Sequence, residues 1–376
     1  MKIELTPRQK SMQNAFRAFV RKEIAPYADQ YDREEAIPAE LIQKLAQSGY
    51  LGSMLPQENG GLGLDMIAYG LLHGEIGRAC SSVRSLLTVH DMVAYSIYKW
   101  GNEQQKKNWL PKLASGEAIA AFGLTEPTVG SDAKSIETAA TLVDGSYVLS
   151  GQKKWITFGQ VADLFLIFAR CDEGLAAFLV EGSSLGFSVK PISGLLGMRA
   201  SMLAELFLED CRVPKENLLG RAGFGLSHIA STALTLGRYT VAWGCVGIAQ
   251  ACLEACVHYA SERKQFGSPL GKHQLIRQML TDMIVNVNAA RLLCYQAGYL
   301  MDSNDPQAIM EASMAKYFAS VMAVQAASNA VQIHGANGCS SAYPVQRYFR
   351  DAKIMEIIEG STQIQQITIA QYGFQD

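Results

Sequence analysis

The chain has 376 residues, 49% of them hydrophobic, and 33 Lys and Arg stand against 35 Asp and Glu for a formal charge of -2. A chain of this size buries large cores and divides into two or three compact units. The balanced charge offers no basic stripe to nucleic acid or to an anionic membrane surface, so neither partner is expected, although local anion sites stay compatible with it.

The eight cysteines, at 80, 171, 211, 245, 252, 256, 294 and 339, form no CxxC pair and show no metal-ligand spacing. They read as buried free thiols in a reducing cytosol, with no metal expected. The opening MKIELTP lacks an apolar signal core and no uninterrupted apolar run reaches spanning length, so a cytoplasmic protein is expected.

In chain order, the first third is helical by period. After the start signal Thr6-Pro7-x-Gln9, the apolar residues Met12, Ala15, Phe16, Phe19, Val20 and Ile24 recur at three- and four-residue steps, and Pro26 closes the run. Further helical patterns cover 39–48, 66–77, 84–99 and 103–115, with LPQENGGLG at 55–63 as a turn between two of them. From about 119 the texture changes to short strand-like runs at 147–149, 164–168, 177–180 and 187–189, punctuated by Gly, Asp and Ser. Past Gly225 long helical patterns return, roughly 226–263, 273–303, 306–334 and 343–357, rich in Ala, Met and Leu; such small residues suggest a tightly packed bundle. The expected units are residues 1–118, 119–222 and 223–376.

Near the C-terminus, Ile354, Ile357 and Ile358 keep helical spacing up to Glu359, Gly360 permits a sharp turn, and Thr362-x-x-Gln365 signals a capping box for a short following helix. A carboxylate at such a break projects into the cavity that the two helices border, or it is a surface residue beside a C-cap glycine. Four other segments have chemistry in them. TEPTVGSD at 125–132 displays hydroxyls and amides suited to a heterocyclic or phosphorylated ligand, or it is a turn between strands. Trp155, in KKWITFG at 153–159, either walls a flat ring or is core. Arg263, in ERKQFG at 262–267, either clamps a diphosphate or is a solvated charge. The glycine-bearing break QIHGANG at 332–338 lets a backbone approach a ligand closely.

The order of these segments is specific where each alone is not. LPQENGGLGLD, TEPxxGSD, KWIT, GMRAS and LEDCRVP at 197–214, ERKQFG, QIHGANG and RDAKIxxIxEG resemble the acyl-CoA dehydrogenase family from end to end. The resemblance implies an α+β multidomain fold: an N-terminal α-helical domain, a β-barrel-like middle domain and a C-terminal four-helix bundle, assembled as a homodimer or homotetramer around noncovalent FAD. It implies that Phe122, Leu124, Thr125 and Ser131 contact the flavin and its pyrophosphate, with Trp155, Ile156 and Thr157 covering the ring. Arg263, Phe266 and Gln274, with Gln332, Ile333, Gly335, Ala336 and Gly338, would reach the FAD of a neighbouring subunit, and Thr362 and Gln363 would touch FAD beside the glutamate.

Glu359 matches the family's catalytic base, which removes the α-proton of an acyl thioester while the β-carbon gives hydride to flavin N5. The protein then orients and desolvates the reactants, and a dry pocket raises the base's pKa. Ser131, Arg238 and Gly360 are the implied thioester contacts, and an electron-transfer flavoprotein is the implied acceptor. Several residues depart from the family pattern: Phe158, Ala336, Cys339 and, most tellingly, Thr235, where acyl-CoA users often carry an Asp that contacts CoA. The stretch ACSSVRSLLTVH at 79–90 resembles a subgroup from polyketide and peptide antibiotic pathways that oxidises a glyceryl or seryl unit on an acyl carrier protein, toward hydroxymalonyl or aminomalonyl extender units. Arg84 and His90 would then line a polar acyl pocket, or lie on a helix surface. The competing expectations are a short- or branched-chain acyl-CoA dehydrogenase and, from another class, a catalytically silent flavoprotein scaffold.

Overall fold

The computed structural model describes residues 4–374. The N-terminal part is helical: α1 (Pro7–Glu23), α2 (Ala28–Glu34), α3 (Ala39–Gln47), α4 (Met66–Ala79), α5 (Ser81–Trp100) and α6 (Glu103–Ser115). Thr6 and Gln9 form the expected capping box at the start of α1. The short α2 carries no sequence signal strong enough to mark it.

Strands follow: β1 (Ala120–Gly123), β2 (Ala139–Val143), β3 (Ser146–Ile156), β4 (Leu164–Cys171), β5 (Gly174–Glu181), β6 (Phe187–Pro191), β7 (Ala204–Pro214) and β8 (Leu218–Leu219). They form one sheet in the order β6-β7-β3-β2-β4-β5-β8, with β1 added in parallel to β4. The continuous apolar run of β4 has a physical cause, since both its faces are covered. Leu164, Leu166 and Phe168 pack with Val93, Ile97, Leu110 and Leu113 of α5 and α6, while Phe165, Ile167 and Ala169 join Tyr147, Leu149, Phe178 and Leu206 inside the sheet. This strand therefore welds the sheet to the helices.

A π-helical turn (Gly225–Ala230) leads into α7 (Ser231–Glu262), then the hairpin β9 (Lys264–Gln265) and β10 (Ser268–Pro269), and α8 (Gln274–Asp302), α9 (Ala308–His334), α10 (Val345–Met355) and α11 (Thr362–Tyr372). The helix α7 is the hub, packed against α9, α4, α8, α5 and α10. Glycines set its crossing with α4: a Cβ on Gly77 would lie 2.9 Å from Gly244 Cα, and one on Gly247 would lie 2.3 Å from the Gly74 carbonyl. Residues 225–262 are long and apolar enough by length and composition to cross a membrane, although polar residues interrupt the run, and 72% of their most apolar window is buried within the fold. Among the described cysteines, Cys339 is exposed and Cys171 half-buried, which corrects the expectation that all eight are buried.

Two features of the middle region set up the site. A Cβ on Gly197 would meet the Arg350 carbonyl, and the Met198 amide donates to Asp351 Oδ1 at 2.6 Å, so the loop between β6 and β7 docks directly on α10. In addition, Glu126 and Lys153 form a fully buried ion pair at 2.7 Å, and Glu126 also accepts from the Glu137 and Thr138 amides and from Thr138 Oγ1. Burial raises the Glu126 carboxyl, but these donors bring it below its ordinary value; burial lowers the Lys153 ammonium to about 8. This pair shapes the 125–132 loop. Glu126→Gln strands a buried ammonium and is expected to cost about 3–5 kcal/mol in denaturant unfolding; a loss under about 1 kcal/mol would show that the pair does not anchor the loop.

Candidate active site

The helix α10 ends at Met355, and the chain then turns through Glu359 (φ 55) and Gly360 (φ 94), both left-handed. A non-glycine residue costs about 1–2 kcal/mol there, so the surroundings must enforce the conformation. Three donors on three elements enforce it. Arg238 Nε of α7 donates to the Glu359 carbonyl at 3.3 Å, Lys316 Nζ of α9 donates to the Gly360 carbonyl at 2.7 Å, and Gln365 Nε2 of α11 reaches both, at 3.2 and 3.3 Å. Both carbonyls are drawn inward. The Glu359 and Gly360 amides donate to no acceptor among the described residues, which leaves them for a ligand oxygen.

This arrangement corrects the expected capping box. The N-cap of α11 is Ser361, whose side chain accepts from the Ile364 amide, and Gln365 turns into the protein to hold the turn instead of reaching back over its own helix start. The Gln365 amide nitrogen serves as donor to two part-buried carbonyls in place of one cap bond.

The Glu359 carboxylate rests on α7. A Cβ on Gly237 would meet Oε2 at 2.5 Å and Met92 Sδ at 3.0 Å, so the glycine in the middle of α7 is what makes room. Oε2 is shielded from solvent and has no hydrogen-bond partner among the described residues. Burial pushes the carboxyl up to about 7, opposed by the charges of Arg238, Arg84 and Lys316. Such a group exchanges protons readily near neutrality.

The helices α4, α5 and α7 meet beside it in an unusually polar seam. Arg84 is fully buried, donates to Thr88 Oγ1 at 2.7 Å, lies 3.9 Å from Met355 Sδ and leaves its Nε unpartnered; Thr88 in turn bonds Thr240 at 3.0 Å. Tyr69, His73 and Asp91 are buried in the same region with unpartnered polar atoms. Burial lowers the His73 imidazole, aided by the Arg84 charge, and raises Asp91 to about 7. His90 must be corrected. Its Nε2 faces the Leu113 carbonyl at 3.0 Å and its Nδ1 accepts from the Ala120 amide at 3.2 Å, so both nitrogens are spent tying α5 to α6 and β1. Burial lowers it to about 4, and it holds the fold as a neutral ring without lining an acyl pocket.

The other expected site residues fall into two groups. At the C-terminal end of β3, the Lys154 amide donates to the Thr125 carbonyl, which brings 122–131 beside Trp155 and Thr157. Trp155 is 50% exposed at φ 63, and the Thr125, Ser131 and Thr157 hydroxyls lack side-chain partners among the described residues. Phe122 packs on Phe168. The second group sits at the bundle end, where the β9–β10 tip displays Phe266 at 95% exposure near exposed Arg263 and Gln274, with Gln332, Gly335 and Ala336 also exposed. Leu124, Ile156, Ile333 and Gly338 are buried, so only their backbone can meet a cofactor. Thr362 and Gln363 open α11 directly after the turn. An exposed indole, free hydroxyls and a guanidinium suit the ring and diphosphate of FAD.

Sequence reading did not mark Gly237, Lys316, Thr88 or Thr240 as site residues, and it gave Gln365 a capping role in place of its hold on the turn. A glycine inside a helix costs about 0.5–1 kcal/mol, and that cost was the available signal for Gly237.

Glu359→Gln removes a carboxyl whose folded pKa lies above its unfolded one. The stability the acid contributes is present below its unfolded value and lost as pH rises through about 7. The variant should therefore exceed the wild type by about 1–3 kcal/mol at pH 8 and match it near pH 4 in denaturant unfolding. Equal stability at both pH values would contradict the buried carboxylate.

Comparison with known proteins agrees across the chain. Residues 6–117, 121–211 and 223–373 match the N-terminal, middle and C-terminal domains of acyl-CoA dehydrogenase. The chain is 42% identical over 376 residues to an acyl-CoA dehydrogenase of Bacillus subtilis (strain 168), covering 98% of this chain and 99% of that one. It is 40% identical to the mitochondrial short-chain specific acyl-CoA dehydrogenase of Mus musculus, covering 98% and 90%. Among solved structures it superposes on butyryl-CoA dehydrogenase from Megasphaera elsdenii with a TM-score of 0.96 at 36% identity, covering 100% of both. It also resembles the prolyl acyl carrier protein oxidase AnaB (TM-score 0.93, 31% identity, 98% and 99% covered) and FkbI, for biosynthesis of a methoxymalonyl extender unit (0.88, 32%, 96% and 99%). The chain belongs to the acyl-CoA dehydrogenase family, FAD-dependent oxidoreductases that act on CH–CH bonds.

Proposed function

We propose that the chain oxidises a short, oxygen- or nitrogen-bearing acyl thioester presented on an acyl carrier protein, a glyceryl- or seryl-type unit on the way to hydroxymalonyl or aminomalonyl extenders. The observation that carries this reading is Arg84: a fully buried guanidinium beside Glu359 with no carboxylate partner among the described residues. Leaving such a charge unpaired is costly, and a saturated hydrocarbon chain offers it nothing, whereas an acyl oxygen accepts its N–H. Thr235 points the same way. Its hydroxyl donates to the Ser231 carbonyl of its own helix at 2.8 Å, so this position presents no carboxylate to CoA. The likeness to AnaB and FkbI supports the reading.

In the reaction, the Glu359 amide holds the thioester carbonyl and Arg84 binds the oxygen on the acyl end. The carboxylate against Gly237 removes a proton, from the hydroxyl of an oxygen-bearing β-carbon or from the α-carbon of a plain acyl group. FAD, when bound, supplies the acceptor for the hydride that leaves the β-carbon, and Trp155, Thr125 and Thr157 would hold its ring. Arg263, Phe266 and Gln274 would come from a second copy of the chain, and an electron-transfer flavoprotein would take the electrons onward.

A second reading, a short-chain acyl-CoA α,β-dehydrogenase, is favoured by the 40% identity to the short-chain enzyme and uses the same base. Anaerobic mixing separates the two. A glyceryl- or seryl-carrier protein should bleach the bound flavin at least about 100-fold faster than butyryl-CoA, and Arg84→Met should erase that preference. Bleaching by butyryl-CoA with the carrier-bound unit inert would establish the second reading.

Gly237→Ala tests the seat of the base under either reading. The added Cβ displaces the carboxylate, so flavin reduction should slow about 100-fold while thermal stability holds, because alanine is the better helix residue. An unchanged rate would mean that the carboxylate works from elsewhere.

A further inference from the structure

Lys316 anchors the Gly360 carbonyl but takes no part in the reaction described above, and its placement is costly. It sits in the middle of α9 with its ammonium fully buried, on a helix whose buried positions are otherwise dominated by Ala and Ser. Its one hydrogen-bond acceptor among the described residues is the Gly360 carbonyl at 2.7 Å. A methionine or leucine would fill the same space without desolvating a charge, so packing alone does not explain a lysine. The carbonyl it holds belongs to the residue after the base, inside a turn whose left-handed conformation needs external support.

We propose that Lys316 is a positioning residue for the reaction: from α9 it fixes the Gly360 carbonyl, and with it the peptide plane that keeps the Glu359 carboxylate on Gly237 and its amide toward the substrate, while its charge favours the ionised base. The proposal rests on Glu359 as the base and is independent of which acyl group is bound.

The surrounding charges bear on both groups. Facing Glu359 are Arg238 from α7, Arg84 from α5 and Lys316 from α9. Facing Lys316 are Cys245 and Arg238 from α7 and Glu359 and Glu356 from the α10 end; burial lowers its ammonium to about 8, so it remains largely charged where Glu359 titrates. Gln365 supports the same two carbonyls without a charge, which makes it the natural control.

The test uses the FAD-loaded protein and reads the carboxyl directly. The infrared band of the Glu359 carboxylic acid, identified by its loss in Glu359→Gln, is followed against pH without substrate, so a wrong substrate assignment leaves the measurement intact. In Lys316→Met the midpoint should rise by about one pH unit, and the limiting rate of flavin reduction should fall about 100-fold with half-saturation little changed. Lys316→Arg should restore the midpoint. Gln365→Leu should lower the rate and leave the midpoint in place. Should Lys316→Met fail to fold, Lys316→Gln gives the same infrared reading, with a raised midpoint again expected. An unchanged midpoint in the uncharged variant would overturn the proposal, as would a shift that arginine fails to reverse. If the pH behaviour stays fixed while only thermal stability falls, Lys316 is purely structural.

Discussion

Everything functional in this protein depends on one strained turn. Glu359 and Gly360 both adopt left-handed backbone, and three donors from α7, α9 and α11 clamp their carbonyls. The consequence reaches in two directions. Outward, the turn frees two amides and sets a carboxylate on Gly237. Inward, it makes the packing of α9 and α11 against α7 a condition of catalytic geometry, because moving any of the three helices moves a carbonyl anchor.

The second constraint is electrostatic. A carboxylate buried on an apolar bundle resists ionisation, and Arg84, Arg238 and Lys316 counter that resistance without touching Oε2. The balance leaves a base near neutrality, poised between a permanently protonated core acid and a weak surface carboxylate. Arg84 contributes to this field and, alone of the three, leaves a solvent-shielded nitrogen without a partner among the described residues, at the α4–α5–α7 seam. One residue thereby links the strength of the base to the polarity of the acyl group it meets.

How much of this was legible in the sequence follows from what kind of information each feature needs. Helical periodicity located α4, α5, α6 and the long bundle helices within a few residues, because each buries a face against α7 or the sheet. The apolar run at 164–168 marked β4 as a strand, while the cover on both its faces was visible only in the packing. The break at Glu359 was visible from Gly360 and the small polar residues after it. Side-chain direction was not visible. His90 and Arg84 lie on the same helix, six residues apart, yet one is consumed by two backbone partners while the other keeps an unpaired nitrogen. Lys316 reads as an ordinary helix lysine until its burial is seen. Gln365 matched a capping box by spacing, and tertiary contact redirected it.

The most direct test of the account is a single-turnover mixing of the FAD-loaded Glu359→Gln variant with a thioester that reduces the wild-type flavin. The variant retains the turn and its three anchors but has no base. The flavin should stay oxidised over times at least about 1,000 times longer than in the wild type, with thioester binding still detectable by the perturbed flavin spectrum. Reduction at a rate near the wild type's would place the proton acceptor elsewhere and remove the foundation of the mechanism.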